Sequence, residues 1–244
     1  MTPGKILFVT LVFSMIYLSV WADSQSANQV AIEASEFVMG DTFCLDQQGN
    51  SDWCSDEVLH RVKLPRYAID KYEVTNAQYN ACVAALVCSP AGVHEDRPLD
   101  FGLPQQPVVF VSWEEASIFC RWRGARLPTE AEWEKAAQGK DPGGAHFGQA
   151  YAQGAPKEVG LLTPNTNGLF DMLGNVNEWT ADWYGPYETG ELQINPKGIL
   201  SGKDKVVRGG SWNSPRHYLR AADRVARSSE LQYSDVGFRC AVSL

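Results

Sequence analysis

The stretch from Gly168 to Trp179, GLFDMLGNVNEW, concentrates more potential ligand chemistry than any other part of the chain. Two carboxylates, Asp171 and Glu178, and two asparagines are interleaved with Leu, Phe, Met, Val and Trp. A helix would not hold Gly174-Asn175 at its centre, because glycine there costs about 1 kcal/mol against alanine and asparagine favours turns. An irregular segment rich in side-chain and backbone oxygens, held by apolar neighbours, suits a hard cation such as Ca²⁺. The competing reading is a buried turn in which Asp171 and Glu178 accept hydrogen bonds from backbone amides.

Other reactive side chains are more scattered. His60, His94, His146 and His217 show no HxxH or HxxxH spacing, which argues against a histidine-built iron or zinc site. Ser214 and His217 could form a nucleophile and base, although loops often bring Ser and His together without catalysis. Arg208, Arg216, Arg220, Arg224 and Arg239 crowd the C-terminal third of an acidic chain, so ion pairs with carboxylates are the default expectation. Recognition of an anionic group is the sharper alternative. Trp212, Trp183 and Tyr184 could wall a sugar or peptide site, or serve as core.

Six cysteines, at 44, 54, 82, 88, 120 and 240, follow an N-terminal segment that reads as a secretory signal. Lys5 precedes a largely apolar run from Ile6 to Trp21, slightly short for a membrane span, and Ala22 offers a small residue for cleavage. An even cysteine count behind such a signal predicts three disulfides in an oxidising compartment, secreted or periplasmic. Proximity in sequence pairs Cys44 with Cys54 and Cys82 with Cys88, leaving Cys120 for Cys240. No pair has zinc-finger or redox CxxC spacing.

The elements that position these residues are partly readable. Residues 1–22 are taken as the signal, 23–32 as a flexible leader and 33–244 as one domain with a substantial core. Loss of Lys5 would move the formal charge from −8 to about −9. That acidity argues against nucleic acid and against a basic membrane-docking face, and no stable membrane anchor is expected once the signal is removed. Glu36 to Gly40 predicts a strand into a turn, and VKLPRYAIDKYEV (62–74) predicts strands around Pro65. Three capping boxes, Thr75-Asn-Ala-Gln78, Ser112-Trp-Glu-Glu115 and Thr129-Glu-Ala-Glu132, start helices running to about Val87, Arg123 and Ala137. Gly124 suits the C′ position of the second. From Leu161 onward regular structure is expected to be sparse, with strands at 205–208 and 236–242.

Five motifs in fixed order now carry a resemblance: EVTNAQY (73–79), PVVFVSWEEASIFCRWRGARLPTEAEWEKAA (107–137), GLFDMLGNVNEW (168–179), VVRGGSW (206–212) and DVGFRCAV (235–242). The chain resembles the formylglycine-generating enzyme family, also called the sulfatase-modifying factor domain, across essentially all of 33–243. The resemblance implies an α+β, C-type-lectin-like fold with much irregular structure, stabilised by calcium and disulfides. It implies a structural calcium ion held by the side chains of Asp171 and Glu178 and the carbonyls of Gly174 and Val176. It also matches Cys120 to Cys240. A further family calcium site would fall in 146–167, where no obvious ligand set is present.

Two departures bear on function. The family's oxidases bind copper through two cysteines downstream of a Gly-Gly-Ser turn; here Ser214 stands at the first position and Leu219 near the second. No cysteine lies between Cys120 and Cys240, so there is no soft-ligand pair for Cu(I) and no copper is expected. Asn177 stands where family members often carry Trp, which either reshapes the cleft or is tolerated at a partly exposed position. The expectation is an exported, calcium-stabilised binding or accessory module. Its cleft, around Trp212, Ser214, Arg216 and His217, would take a peptide, protein or glycan. The alternative is a protein- or peptide-maturing enzyme of altered chemistry.

Overall fold

The computed structural model describes residues 28–43, 54–139, 144–188, 190 and 192–244. The signal segment and Cys44 lie outside these, so the expected Cys44–Cys54 bridge does too. Strands β1 (Gln29–Ile32), β4 (Tyr67–Asp70) and β10 (Ala241–Ser243) form one antiparallel sheet, with β4 central. β2 (Ser35–Met39), β3 (His60–Leu64) and β6 (Gln193–Ile194) form a second. β5 (Asn177–Trp183), β7 (Asp204–Arg208), β8 (Arg224–Ser228) and β9 (Val236–Gly237) form the third, in the order β8-β7-β5-β9. Alternation explains β3, where His60, Val62 and Leu64 point inward and Arg61 and Lys63 outward.

All three helices start at their capping boxes. They are α1 (Asn76–Ala84), α2 (Trp113–Trp122) and α3 (Glu130–Ala137), capped by Thr75, Ser112 and Thr129. In each the hydroxyl accepts from the backbone N–H three residues on, and that residue's side chain accepts from the cap's N–H. Gly124, at φ 72°, follows α2 as the left-handed stop. Helix α1 ends earlier than Val87, because the Cys82–Cys88 disulfide turns the chain back.

Helix α3 is buried at every residue, charged ones included. Glu130 pairs with Arg224, Glu132 with Arg126 and Glu134 with Arg208, while Lys135 donates to the carbonyl of Glu33. Each buried charge is thereby matched, which is what allows such a helix into the core. One apolar cluster packs α1 and α2 with Trp179, Phe238 and the Cys120–Cys240 disulfide. A second sets Trp133 of α3 against the first two sheets.

Three expectations need correction. The leader does not extend to residue 32, because 29–32 form β1, with Ile32 buried against the second cluster. The C-terminal strand is not continuous over 236–242. β9 and β10 are separated by Phe238–Cys240, where Arg239 turns inward to Glu178 and Cys240 is tied to α2. Regular structure after Leu161 is not sparse, since the four-stranded sheet is built there. Its strand β5 begins inside the central motif, at Asn177.

Candidate functional site

The central motif is a turn feeding a buried strand. Asp171 and Asn175 both adopt positive φ, at 57° and 59°, and Gly174 at 90°. A Cβ on Gly174 would stand 2.7 Å from the His146 carbonyl oxygen, so no larger residue fits this close approach. The helix excluded by Gly174-Asn175 is absent for these reasons.

The carboxylates of this turn meet around one arginine. Arg239 is fully buried and uses all five N–H donors: two to Glu178, two to the carbonyls of Asp70 and Lys71, and one to that of Phe170. Glu178, also fully buried, accepts from Arg239 Nε and Nη2 at 2.7 Å each and from Trp133 Nε1 at 2.8 Å. Three of its roughly four lone-pair directions are therefore taken. Asp171 Oδ2 accepts from the Gly160 N–H at 2.6 Å. The Gly174 carbonyl accepts no hydrogen bond among the described residues.

A residue that the sequence reading did not single out joins this cluster. Glu73 is 1% exposed; its Oε1 accepts from Asn175 Nδ2, and its Oε2 is buried with no partner. Burial, then the charge of Asp171, holds the Glu73 carboxyl well above the usual carboxylate range. Three carboxylates thus face one guanidinium. The place of Glu73 in the sequence, just before Val74 and the capping Thr75, equally fits an exposed strand end. Among the described residues no three His, Cys, Asp or Glu side chains converge closely enough to hold a metal by themselves, so a cation here needs backbone carbonyls.

The Ser214 region is a separate cleft of about 340 Å³, lined by Asn177, Ser214, Tyr218, Asp223, Arg227 and Asp235 among others. Ser214 Oγ accepts from the Ser211 N–H at 3.0 Å and lies 3.1 Å from Ser211 Oγ. Arg216 and His217 are exposed; the first lies over the Phe147 ring and the second against Tyr218. They do not line the cleft with Ser214. Trp212 does not line it either. It is fully buried, packed on Phe101 and Tyr151, because its indole N–H reaches the Ser234 carbonyl inside the domain. Asn177 is the reverse case: 4% exposed and part of the cleft wall, it takes an amide partner in Asp235 Oδ2 at 3.4 Å.

Asp223 gives the cleft a titrating floor. It is 2% exposed, and burial pushes its carboxyl up to about 7 against the pull of the Arg220 guanidinium. The folded value lies above the unfolded one of about 3.9. Asp223 therefore contributes stability that is full below about pH 4 and lost as pH rises to about 7. Asp223→Asn should flatten the decline of Tm across that window; thermal melts that stay parallel to wild type would refute the assignment.

The remaining C-terminal arginines follow the default expectation. Arg208 pairs with Glu134, Arg220 with Glu57 and Asp41, and Arg224 with Glu130, tying α3, Asp41 and Glu57 to the last third of the chain.

With the geometry in place, comparisons with known proteins agree on a family. The sulfatase-modifying factor enzyme 1-like domain matches residues 20–244. The chain is similar to the formylglycine-generating enzyme of Streptomyces coelicolor, 31% identical, over 87% of this chain and 88% of that one. It is 36% identical to the formylglycine-generating enzyme of Bos taurus over 57% of this chain, and the match spans only 44% of the bovine protein. Among solved structures, Treponema denticola variable protein 1 superposes with a TM-score of 0.69 at 26% identity, covering 88% of this chain and 95% of that one. The fold is the expected α+β, C-type-lectin-like one.

Proposed function

The chain belongs to the sulfatase-modifying factor family, and from that premise we propose that it is an exported, calcium-stabilised member that binds a partner rather than oxidising a cysteine. The observation that carries this reading is Ser214. By the family resemblance it stands at the first thiol position, and its hydroxyl is engaged with Ser211. Leu219 near the second position offers no ligand atom at all. Cys120 and Cys240, the cysteines that flank this segment in sequence, are bonded to each other. The residues present therefore do not fit a thiolate copper pair.

Calcium is a different case, because the donors suit it. Asp171, the open Gly174 carbonyl and the Val176 carbonyl are hard oxygens, and the unpartnered Glu73 Oε2 adds a fourth in the same cluster. Bound Ca²⁺ would offset the surplus negative charge of Glu73, Asp171 and Glu178. Glu178 then acts mainly by neutralising Arg239, with one lone-pair direction to spare for the ion. Two disulfides among the described residues support an oxidising compartment, hence secretion or the periplasm.

The ligand class is a peptide, protein or glycan docking at the Ser214 cleft; an intact oxidase as partner is the accessory form of the same reading. An enzyme of altered chemistry would need a base at Ser214 Oγ, and the exposed His217 packs on Tyr218 instead. The test is Cu(I) titration against a chelator competitor, together with an assay on a sulfatase-type cysteine peptide. The expected result is neither tight copper binding nor peptide oxidation; formylglycine formation would sink the proposal.

A further inference from the structure

A second cavity, of about 160 Å³, lies between the start of α3 and residues 185–188 and 193–199, and shares no residue with the Ser214 cleft or with the calcium set. Its walls include Met39, His60, Asp182, Trp183, Tyr187 and Ile199. Two of these present polar atoms that no described residue hydrogen-bonds.

Asp182 is 4% exposed. Its Oδ2 accepts from the Glu130 N–H at 2.8 Å, while Oδ1 accepts no hydrogen bond from any described residue. Gly198, at φ 66°, keeps the space beside that oxygen open, since a Cβ there would stand 3.0 Å from Oδ1. His60 is 8% exposed, and its Nδ1 lies 2.8 Å from the Val58 carbonyl oxygen. A carbonyl only accepts, so Nδ1 carries the proton and Nε2 is left as an acceptor with no partner among the described residues.

Two of the nearby cations, Arg224 and Lys205, are already committed. Arg224 donates to both oxygens of Glu130 and to the Gly185 carbonyl. Lys205 donates to the Ala181 carbonyl from between the rings of Trp113 and Trp183. Lys197 stands exposed in the wall. An anionic ligand would set its charge against the open Asp182 oxygen, which buried sites do not tolerate. A group that only donates would meet both acceptors, with aromatic and aliphatic walls around its carbon chain.

We propose that this cavity binds a primary alkylamine in its ammonium form, with Asp182 Oδ1 and His60 Nε2 accepting its N–H groups. The test is a titration of the ¹⁵N-labelled protein with n-butylammonium chloride, read at the backbone amides of Asp182, Trp183 and Gly198. Saturable shifts are expected, at least tenfold weaker with n-butanol and absent with butyrate. Asp182→Asn keeps an acceptor for the Glu130 N–H and should weaken binding tenfold or more. Ile194→Trp, at a wall position 72% exposed, should close the mouth and abolish binding without disturbing the fold. The proposal is overturned by no saturable shift, by equal response to butanol or butyrate, or by wild-type affinity in a folded Asp182→Asn protein. If that variant does not fold, undiminished binding by Ile194→Trp overturns it instead.

Discussion

Glu178→Ala should cost the domain about 3–5 kcal/mol, and most of that loss should persist in EDTA. Among the described residues Glu178 supplies the only carboxylate that Arg239 touches, and both side chains are fully buried. Truncation leaves a guanidinium with two unmet donors in the core and strands the Trp133 indole N–H as well. Breaking one side of a buried pair is far more costly than replacing both, because the remaining charge has lost its solvation and gained nothing. Glu178→Leu with Arg239→Met should therefore recover much of the loss. Urea unfolding reads both results as a shift in midpoint at constant slope. A loss that disappears in EDTA would instead make Glu178 primarily a calcium ligand.

That pair also marks where sequence reasoning stopped. Local devices were readable: all three capping boxes formed, and Gly174-Asn175 broke the helix where the turn lies. Such features depend on residues three or four apart. The motif order was enough for the family and its fold. What remained hidden were partnerships across long separations. Helix α3 carries EAEWEKAA, which by composition belongs at a surface, yet it is buried because Arg126, Arg208 and Arg224 meet its glutamates. Arg239 cut one expected strand in two by turning inward to Glu178. Trp212 left the cleft expected of it for the core, while Asn177 lines the cleft wall. Glu73 had no sequence signature, because an orphaned oxygen is a property of packing.

The same orphan makes the calcium proposal measurable. Chelation should lower Tm by roughly 5–10 °C. Ligand at about 100 times its Kd stabilises by about 2.7 kcal/mol, and a domain of this size shifts by about 2–4 °C per kcal/mol. Asp171→Ala should abolish the calcium-dependent part, since Asp171 would supply a ligand side chain. Glu73→Gln should act with opposite signs in the two conditions. With calcium it removes a ligand charge and lowers Tm; in EDTA it removes a buried carboxyl that faces Asp171 with one oxygen unpartnered and raises Tm. A purely structural Glu73 would lower Tm in both, because its Asn175 hydrogen bond would weaken regardless of metal. The crossing of the two curves, read by differential scanning calorimetry, distinguishes a cation centre from a hydrogen-bonded turn at Gly168–Trp179. No change on adding EDTA would return that turn to the simpler reading.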